Sequence, residues 1–557
     1  MAAPALTPPE GSKPAHSQLK IVRRGRPFRR WRWILGILLL LMILVALCVR
    51  FVISRAEPIL RTRVIETLST RFKSRVELAG IHVSVVNGLE VSGEGLQVYG
   101  ATDPNPYEPG LQPLLAVGQF RFHAGLRNLF REPMRVDTVY VKGLVLNIPP
   151  RENRQEMKAM RGRSGKMSIA VDKFVCRNAK LLINTLKPGK PPLEFDISDL
   201  TMKDIGSGKP FHFDATLVNP KPVGDVQSSG LFGPLREDSP RDTAVQGQYS
   251  FSDADLGTLK GISGILSSTG AYDGTLGRIV VSGKTDTPDF RVAVSGHPVP
   301  LHTDFHAIVD GTSGDTYLDP VQAVILHSSL TARGKVVRIV NAQGHDIELD
   351  VVLNRARIED LLTLGVRTDP PIMNGAVEMR TKMSLLPGSA DMAKRLQLNG
   401  NFHVPEARFS NEKWQGKIDD LSLLSRGKPK LARQHLQQDV SSDLRGVFHL
   451  LDGVLTFSFL HFQIPGTHAD MTGDYTLDGS VFDFHGKLQL DAKLSQMTTG
   501  WKSILLKPVD PFFSKNGAGT EVPIKITGTK SEPHFGLDFH HKDESRNDHV
   551  AETASGH

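Results

Sequence analysis

Residues 482–494 alternate without a break, with Phe482, Phe484, Gly486, Leu488, Leu490, Ala492 and Leu494 at even positions and Asp483, His485, Lys487, Gln489, Asp491 and Lys493 at odd ones. Successive side chains of a strand point to opposite faces, so this segment has one dry face and one wet face. The alternation returns in Phe290, Val292 and Val294 against Asp289, Arg291 and Ser295, and in Val522, Ile524 and Ile526 against Glu521, Lys525 and Thr527. Asp-Gly pairs at 273–274, 452–453 and 478–479 mark tight hairpins between such strands. In the body of the chain, helical spacing is confined to residues 358–364, 390–396 and 494–506. That is too little to cover a sheet of roughly 20 strands. A sheet with one continuous apolar face must then close on itself, pair with another sheet, or hold something apolar.

The N-terminal end carries a different signal. Residues 34–49 are sixteen uncharged residues, extended by Trp31, Trp33, Phe51, Val52 and Ile53. With Arg32 and Arg50 snorkelling, roughly 20 residues reach across a hydrocarbon core of about 30 Å. No small-x-small cleavage site follows, and Leu47 before Cys48 does not fit a lipoprotein signal. The expectation is an uncleaved transmembrane helix over 34–53. Eight Lys or Arg lie in residues 13–32, against Arg50, Arg55, Arg61 and Arg63 in residues 50–69. The more basic flank stays in the cytoplasm, which puts about 500 residues on the far side.

The same residues dispose of the net charge of +8. Residues 1–32 hold eight basic residues and the single acid Glu10, a balance of +7 that leaves +1 on the remaining 525. A near-neutral body has no electrostatic footprint for a polyanion, so nucleic acid is not an expected partner. Two cysteines, Cys48 and Cys176, supply neither a disulfide framework nor a zinc site.

The chain divides into a cytoplasmic, disordered basic tail over 1–33, the span over 34–53, and a juxtamembrane amphipathic helix over 54–75. That helix has Pro58 in its first turn and Leu60, Val64, Leu68 and Phe72 on one face. It lies on the membrane or packs on the first strands. The strand-rich body follows in two parts, 76–285 and 286–540, and 541–557 read as a polar disordered tail.

Motifs for chemistry are weak. Gly283-Lys284-Thr285 has Arg278 where a phosphate loop needs its first glycine, so a strand running into a polar turn is the better reading. Asp253 to Gly257 lacks the ligands of a calcium loop and reads as a turn. His302 and His306 fall on one face of a strand but about 13 Å apart, too far for one ion. Neither HExxH nor GxSxG occurs. The expectation is a protein that is not an enzyme, with no catalytic residue, no cofactor and no metal.

The C-terminal third carries a resemblance. Phe462-Gln463-Ile464-Pro465-Gly466-Thr467, Thr472-Gly473-Asp474-Tyr475-Thr476-Leu477, the alternating strand, Leu506-Lys507-Pro508-Val509-Asp510-Pro511-Phe512-Phe513 and Glu521-Val522-Pro523-Ile524-Lys525-Ile526-Thr527-Gly528-Thr529 with Glu532-Pro533 together resemble the AsmA-like C-terminal region. The anchor, the helix from Pro58 and Leu89-Glu90-Val91-Ser92-Gly93-Glu94-Gly95-Leu96-Gln97-Val98 are similar to the N-terminal part of the same group, while residues 150–440 match in style alone.

Proteins of the AsmA and TamB group are anchored in the bacterial inner membrane and extend a long, twisted, incompletely closed β-groove into the periplasm. They are implicated in moving phospholipids between the inner and outer membranes or in supporting outer-membrane assembly. The resemblance therefore implies a mainly β fold, with one transmembrane helix followed by an elongated antiparallel sheet, apolar on one side, and a few short helices. It also implies phospholipid partners, the inner membrane as anchor, and an outer-membrane or periplasmic protein at the distal end. Phe290, Val292, Val294, Phe482, Phe484, Leu488, Leu490, Ile524 and Ile526 are the candidate groove-lining residues. Two alternatives stay open: a dry sandwich of two sheets, and an assembly factor that pairs its strand edges with outer-membrane proteins.

Overall fold

The structure is a computed structural model. It describes residues 38–45, 47, 61–62, 65–66 and 68–69, and from 75 to 538 all but 85–88, 100–111, 126–133, 149–168, 185–191, 207, 237–238, 294, 340–343, 368–369, 435–437, 478–480, 499–518 and 530–531. The chain forms two units, Met1–Val64 and Ile65–His557.

In the first unit residues 38–45 and 47 are helical, and the large apolar side chains from Leu38 to Val45, with Leu47, are all exposed. Among the described residues no helix is long and apolar enough to cross a membrane. Most of the expected span over 34–53 lies outside them, as do the expected tails over 1–33 and 541–557. Of the expected helix over 54–75, residues 61–62, 65–66 and 68–69 are helical and most of the others lie outside the described set.

The second unit is built on one sheet of 26 strands. It begins with β1 (Val76–Glu77), β2 (Gly80–Ser84), β3 (Leu89–Val98), β4 (Leu115–Ala124), β5 (Met134–Ile148), β6 (Ile169–Ile183), β7 (Leu193–Ile205), β8 (Phe211–Pro220) and β9 (Val223–Phe232). The middle holds β10 (Ala244–Asp255), β11 (Ile262–Ser263), β12 (Ile265–Thr275), β13 (Arg278–Val292), β14 (Val299–Val309), β15 (Thr316–Ile325), β16 (Ser328–Val337) and β17 (Asp346–Arg357). Helix α1 (Ile358–Gly365) leads to β18 (Met373–Asn374), β19 (Ala376–Leu385), α2 (Met392–Arg395) and β20 (Leu396–Phe409). After α3 (Glu412–Ser425) and α4 (Pro429–Ala432) come β21 (Ser442–Leu451), β22 (Val454–Ile464), β23 (Thr467–Thr476), β24 (Phe482–Leu490), β25 (Thr520–Gly528) and β26 (Pro533–Leu537).

Neighbours follow chain order, and the short β1, β2, β11 and β18 attach beside β3, β3, β13 and β20. Among the described pairings β26 bonds β25 and no strand at the other end, so the sheet is open. One expectation is corrected: β5 and β6 run parallel, Val139 opposite Phe174 and Val141 opposite Cys176, so the sheet is mixed. A parallel neighbour needs a crossover of a dozen or more residues, and the twenty residues 149–168 separate these two strands.

Burial along the strands has period two. In β8, Phe211, Phe213, Ala215 and Leu217 are half-buried while His212, Asp214, Thr216 and Val218 are exposed, and β19 repeats this with Val377, Met379, Thr381 and Met383. Among the described residues no second sheet covers the apolar side, so curvature of the sheet itself must shelter it. Bulges supply that curvature, because an extra residue in one strand bends it and increases its twist. Register shifts occur at most pairings from β9 to β23, among them Thr287/Phe290, Leu353/Ala356 and Val404/Ala407.

From β9 onward, α1, α3, α4 and the turns Leu256–Thr258 and Leu494–Met497 gather on one rim of the sheet, beyond the C-terminal ends of β10, β17, β20 and β24. Under α1 the inner face becomes a true core: Leu353, Ala356, Met373, Val377, Val404 and Ala407 are buried, with Ile358, Leu361 and Leu362 packed on them. On this rim Gly261 lies against Met392 of α2, which sits on the opposite rim. A β carbon at position 261 would stand 2.6 Å from Met392 Sδ. The sheet therefore coils so that distant portions meet rim to rim rather than edge to edge.

Local readings vary in outcome. The helix expected over 358–364 is α1, and that over 390–396 is reduced to α2. Only the turn Leu494–Met497 represents the helix expected from 494 to 506, since 499–506 lie outside the described residues. Asp452 and Gly453 both have positive φ, 51° and 79°, as a tight hairpin requires. Asp273-Gly274 instead sits inside β12, and the chain turns at Leu276-Gly277. Asp478-Gly479 lies outside the described residues. Gly283-Lys284-Thr285 is in the middle of β13 rather than at its end, bonded to β12 on one side and β14 on the other, with Lys284 Nζ 3.2 Å from Asp304.

Candidate functional site

The inner face begins, residue by residue, at the C-terminal strands. Phe484 stands opposite Ile526 on β25 and Gly473 on β23, and Leu488 stands opposite Val522 and Ala469. Ile524 lies beside Gly486, and Leu490 is opposite Thr520 and Thr467. Phe482 shares this face by register, with its side chain outside the described residues. The structure thus brings together six of the nine candidates on β24 and β25. Leu490 is buried at the helix-bearing rim, whereas Phe484, Leu488, Ile524 and Ile526 are half-buried and open to the inside.

Phe290 and Val292 are distant from that group, at the rim end of β13, where Phe290 pairs with the buried Val299 and Val292 with Ile262. Inward positions of β13 are odd-numbered through Val281, Gly283, Thr285 and Thr287. The bulge after Thr287 brings the even-numbered Phe290 and Val292 inward. Val294 lies outside the described residues.

Aromatic rings run across the C-terminal strands. Phe402 lies 6.3 Å from Phe448 and 6.3 Å from Phe457, and Phe457 lies 5.8 Å from Phe484. Such tilted and edge-on contacts add about 0.5–1.5 kcal/mol per pair beyond area burial. Three of these four rings lie over a glycine on a neighbouring strand: a β carbon at Gly446 would meet Phe402 at 2.4 Å, one at Gly400 would meet Phe448 at 2.9 Å, and one at Gly473 would meet Phe484 at 2.7 Å. Glycine is required there because the ring occupies the place of the missing side chain. The alternation of large and absent side chains keeps the inner surface smooth.

The N-terminal strands continue the apolar face with Phe120, Phe122, Val139, Val141, Phe174, Cys176, Leu200 and Met202 in register. Cys176 is fully buried, and burial raises its thiol above the ordinary value, so it acts as a small apolar residue. Between the two apolar stretches the face changes character. Ser228 and Tyr272 hydroxyls are 2.7 Å apart, Tyr249 and Ser268 3.1 Å, and Thr285 and Thr303 2.6 Å. Burial raises the Tyr272 phenol while its bond to Ser228 lowers it, with a net rise, so it stays protonated. The sequence reading treats the inner face as uniformly apolar and misses this hydroxyl belt. Its signal is present in Tyr249, Ser268 and Tyr272 at the inward positions of β10 and β12.

The outer face is polar and laced with exposed cross-strand ion pairs such as Arg177–Asp199 at 3.4 Å and Lys335–Glu348 at 3.0 Å. A cleft of about 440 Å³ opens there between Arg121, Lys142 and Arg177, with Glu94 and Tyr140. His302 bonds Asp286 and His306 bonds the carbonyl of Asp319 on that same side. Among the described residues no group of three His, Cys, Asp or Glu could hold a metal ion.

The fold and this site define a class: a single-layer, open, coiled β-sheet with an apolar inner face and a polar outer face. Compared with known proteins, the sequence matches no family model and no curated protein.

Proposed function

We propose that this chain is a non-enzymatic cell-envelope protein of the AsmA-like kind, which binds or conducts phospholipid along the inner face of its sheet between the inner and outer membranes. One observation carries the reading: apolar inner-face positions run in register through β3–β8 and again through β19–β25, on either side of the hydroxyl belt, and among the described residues no second sheet covers them. Acyl chains gain about 25 cal/mol per Å² when they cover such a surface, and headgroups remain at the open side in water. The exposed, apolar helical residues 38–45 support an anchor in the bacterial inner membrane, with the N-terminus cytoplasmic and the sheet periplasmic. The hydroxyl belt sets a polar waist between the two apolar stretches of the path.

The test is mass spectrometry of lipids retained by the full chain purified in mild detergent, with photo-crosslinking from position 484. Several phospholipids per chain with crosslinks at Phe484 are the expected result. A folded, lipid-free protein overturns the reading. The outer edge of β26, which has no partner among the described strands, favours a second reading, an assembly factor that offers this edge to a client strand. Crosslinks from β26 to outer-membrane protein strands instead of lipid would bring it to the front.

A further inference from the structure

The rim formed by α3 and α4 has a surface that neither the inner face nor the strand edges explain. Helix α3 packs inward with a polar stripe. Gln415, Asp419, Ser422 and Ser425 are all buried, and Asp419 accepts hydrogen bonds from the backbone amides of Gln438, Asp439 and Val440 at 3.0, 3.2 and 2.9 Å. Ser422 donates to the carbonyl of Pro465 at 2.8 Å, which fixes the helix to the β22–β23 turn. The helix is thereby held rigidly with its other side outward.

That outward side carries Lys413 and Lys417, and α4 with its flanks adds Arg426, Lys428, Lys430 and Arg433, all exposed. From 412 to 433 these six cations face three acids, Glu412, Asp419 and Asp420, and Asp419 is buried against the amides. Among the cations stand large apolar side chains: Trp414 is 42% exposed, Leu431 38% and Ile372 55%. Ile372 stands beside the entrance to α3, where its carbonyl accepts from the amide of Ser410 at 3.1 Å. Lys417 Nζ lies 4.5 Å above the Trp414 ring, so the indole and the cation present themselves together.

A tryptophan and two aliphatic tips exposed among cations along one rim are the side chains that settle at a bilayer interface, where the indole sits at headgroup level and lysines meet anionic lipid. An acidic protein surface would match the charge and leave the three apolar tips without a partner of their own kind. We infer that the α3–α4 rim, with Ile372, docks on a membrane surface bearing anionic headgroups. This inference is independent of lipid passage along the inner face, and it would place the helix-bearing rim of the sheet against a bilayer.

The experiment holds the full chain in phosphatidylcholine nanodiscs and pellets it with sucrose-loaded vesicles of phosphatidylcholine alone or with added phosphatidylglycerol. Association with the anionic vesicles is expected to exceed that with neutral ones by about tenfold and to fall as salt rises. The combined change Lys413→Glu, Lys417→Glu, Lys428→Glu and Lys430→Glu, at exposed positions, should bring it to the neutral level with an unchanged circular dichroism spectrum. Trp414→Ser should weaken it several-fold with the charge intact. Equal pelleting of wild type and the charge variant overturns the proposal, as does capture of an acidic polypeptide in place of vesicles. The charge variant is expected to retain its co-purified lipid, whereas Phe484→Asp should lose lipid and still pellet, so the failure of either reading is visible separately.

Discussion

Phe484 and Gly473 illustrate how much of this surface depends on single atoms. A Gly473→Val side chain would bring its first carbon to 2.3 Å from the Asp483 carbonyl oxygen and 2.7 Å from the Phe484 ring, so strand or ring must move. Such overpacking costs about 1–3 kcal/mol, which a shift in urea midpoint would register. Phe484→Asp acts differently, because the half-open position lets the carboxylate reach water. The fold is expected to persist while crosslinked and co-purified lipid disappear, and lipid retained at wild-type level would remove Phe484 from the path. Asp419→Ala leaves three backbone amides of 438–440 without their acceptor, a loss of roughly 3 kcal/mol concentrated at the α3 rim. Hydrogen exchange at those amides should accelerate before that of the inner strands. The alternation that exposes Phe484, Leu488, Ile524 and Ile526 is legible in the sequence, since each residue's facing follows from parity alone. That Phe290 and Val292 also face inward is not, because the bulge after Thr287 changes parity without leaving a mark in the pattern.

At the scale of the element, β26 is short and among the described strands is bonded on one side only, and one histidine fastens its end. His485 of β24 bonds Asp538 through Nδ1 at 2.6 Å and Asp483 through Nε2 at 2.9 Å. The bond to Asp538 raises the imidazole above the ordinary histidine value, partly offset by desolvation, with Asp483 adding to the rise. A value raised in the folded state means the clamp is complete below the ordinary histidine range and is lost as pH climbs through the raised value. Amides of Pro533–Leu537 that can exchange should therefore lose protection, beyond intrinsic rates, above neutral pH, and His485→Gln should remove that dependence. Sequence reading finds α1 and misses α3, the longest of the described helices. The reason is physical: of the five buried residues of α3, Gln415, Asp419, Ser422 and Ser425 are polar and Leu423 alone is apolar, so a search for apolar residues at helical spacing finds little to follow. The parallel pairing of β5 and β6 is likewise unreadable, since strand patterns carry no direction.

For the whole sheet, each described strand bonds its neighbours in the ladder, and no described pairing closes the sheet. Stability then accumulates strand by strand, and unfolding should spread from the ends rather than occur all at once. Removing residues 519–557 is expected to leave exchange protection in β12–β21 unchanged while β24 becomes labile; loss of protection throughout would show a cooperative body instead. The rim contact between Gly261 and Met392 has a consequence for anything that travels along the inside. A coiled sheet offers a screw-shaped track, and a passenger that stays on the track must turn about its own length as it advances. An acyl chain turns by rotating its carbon–carbon bonds one at a time, whereas a rigid fused-ring molecule must turn as a block. The coil would then select its cargo by suppleness before any headgroup is read.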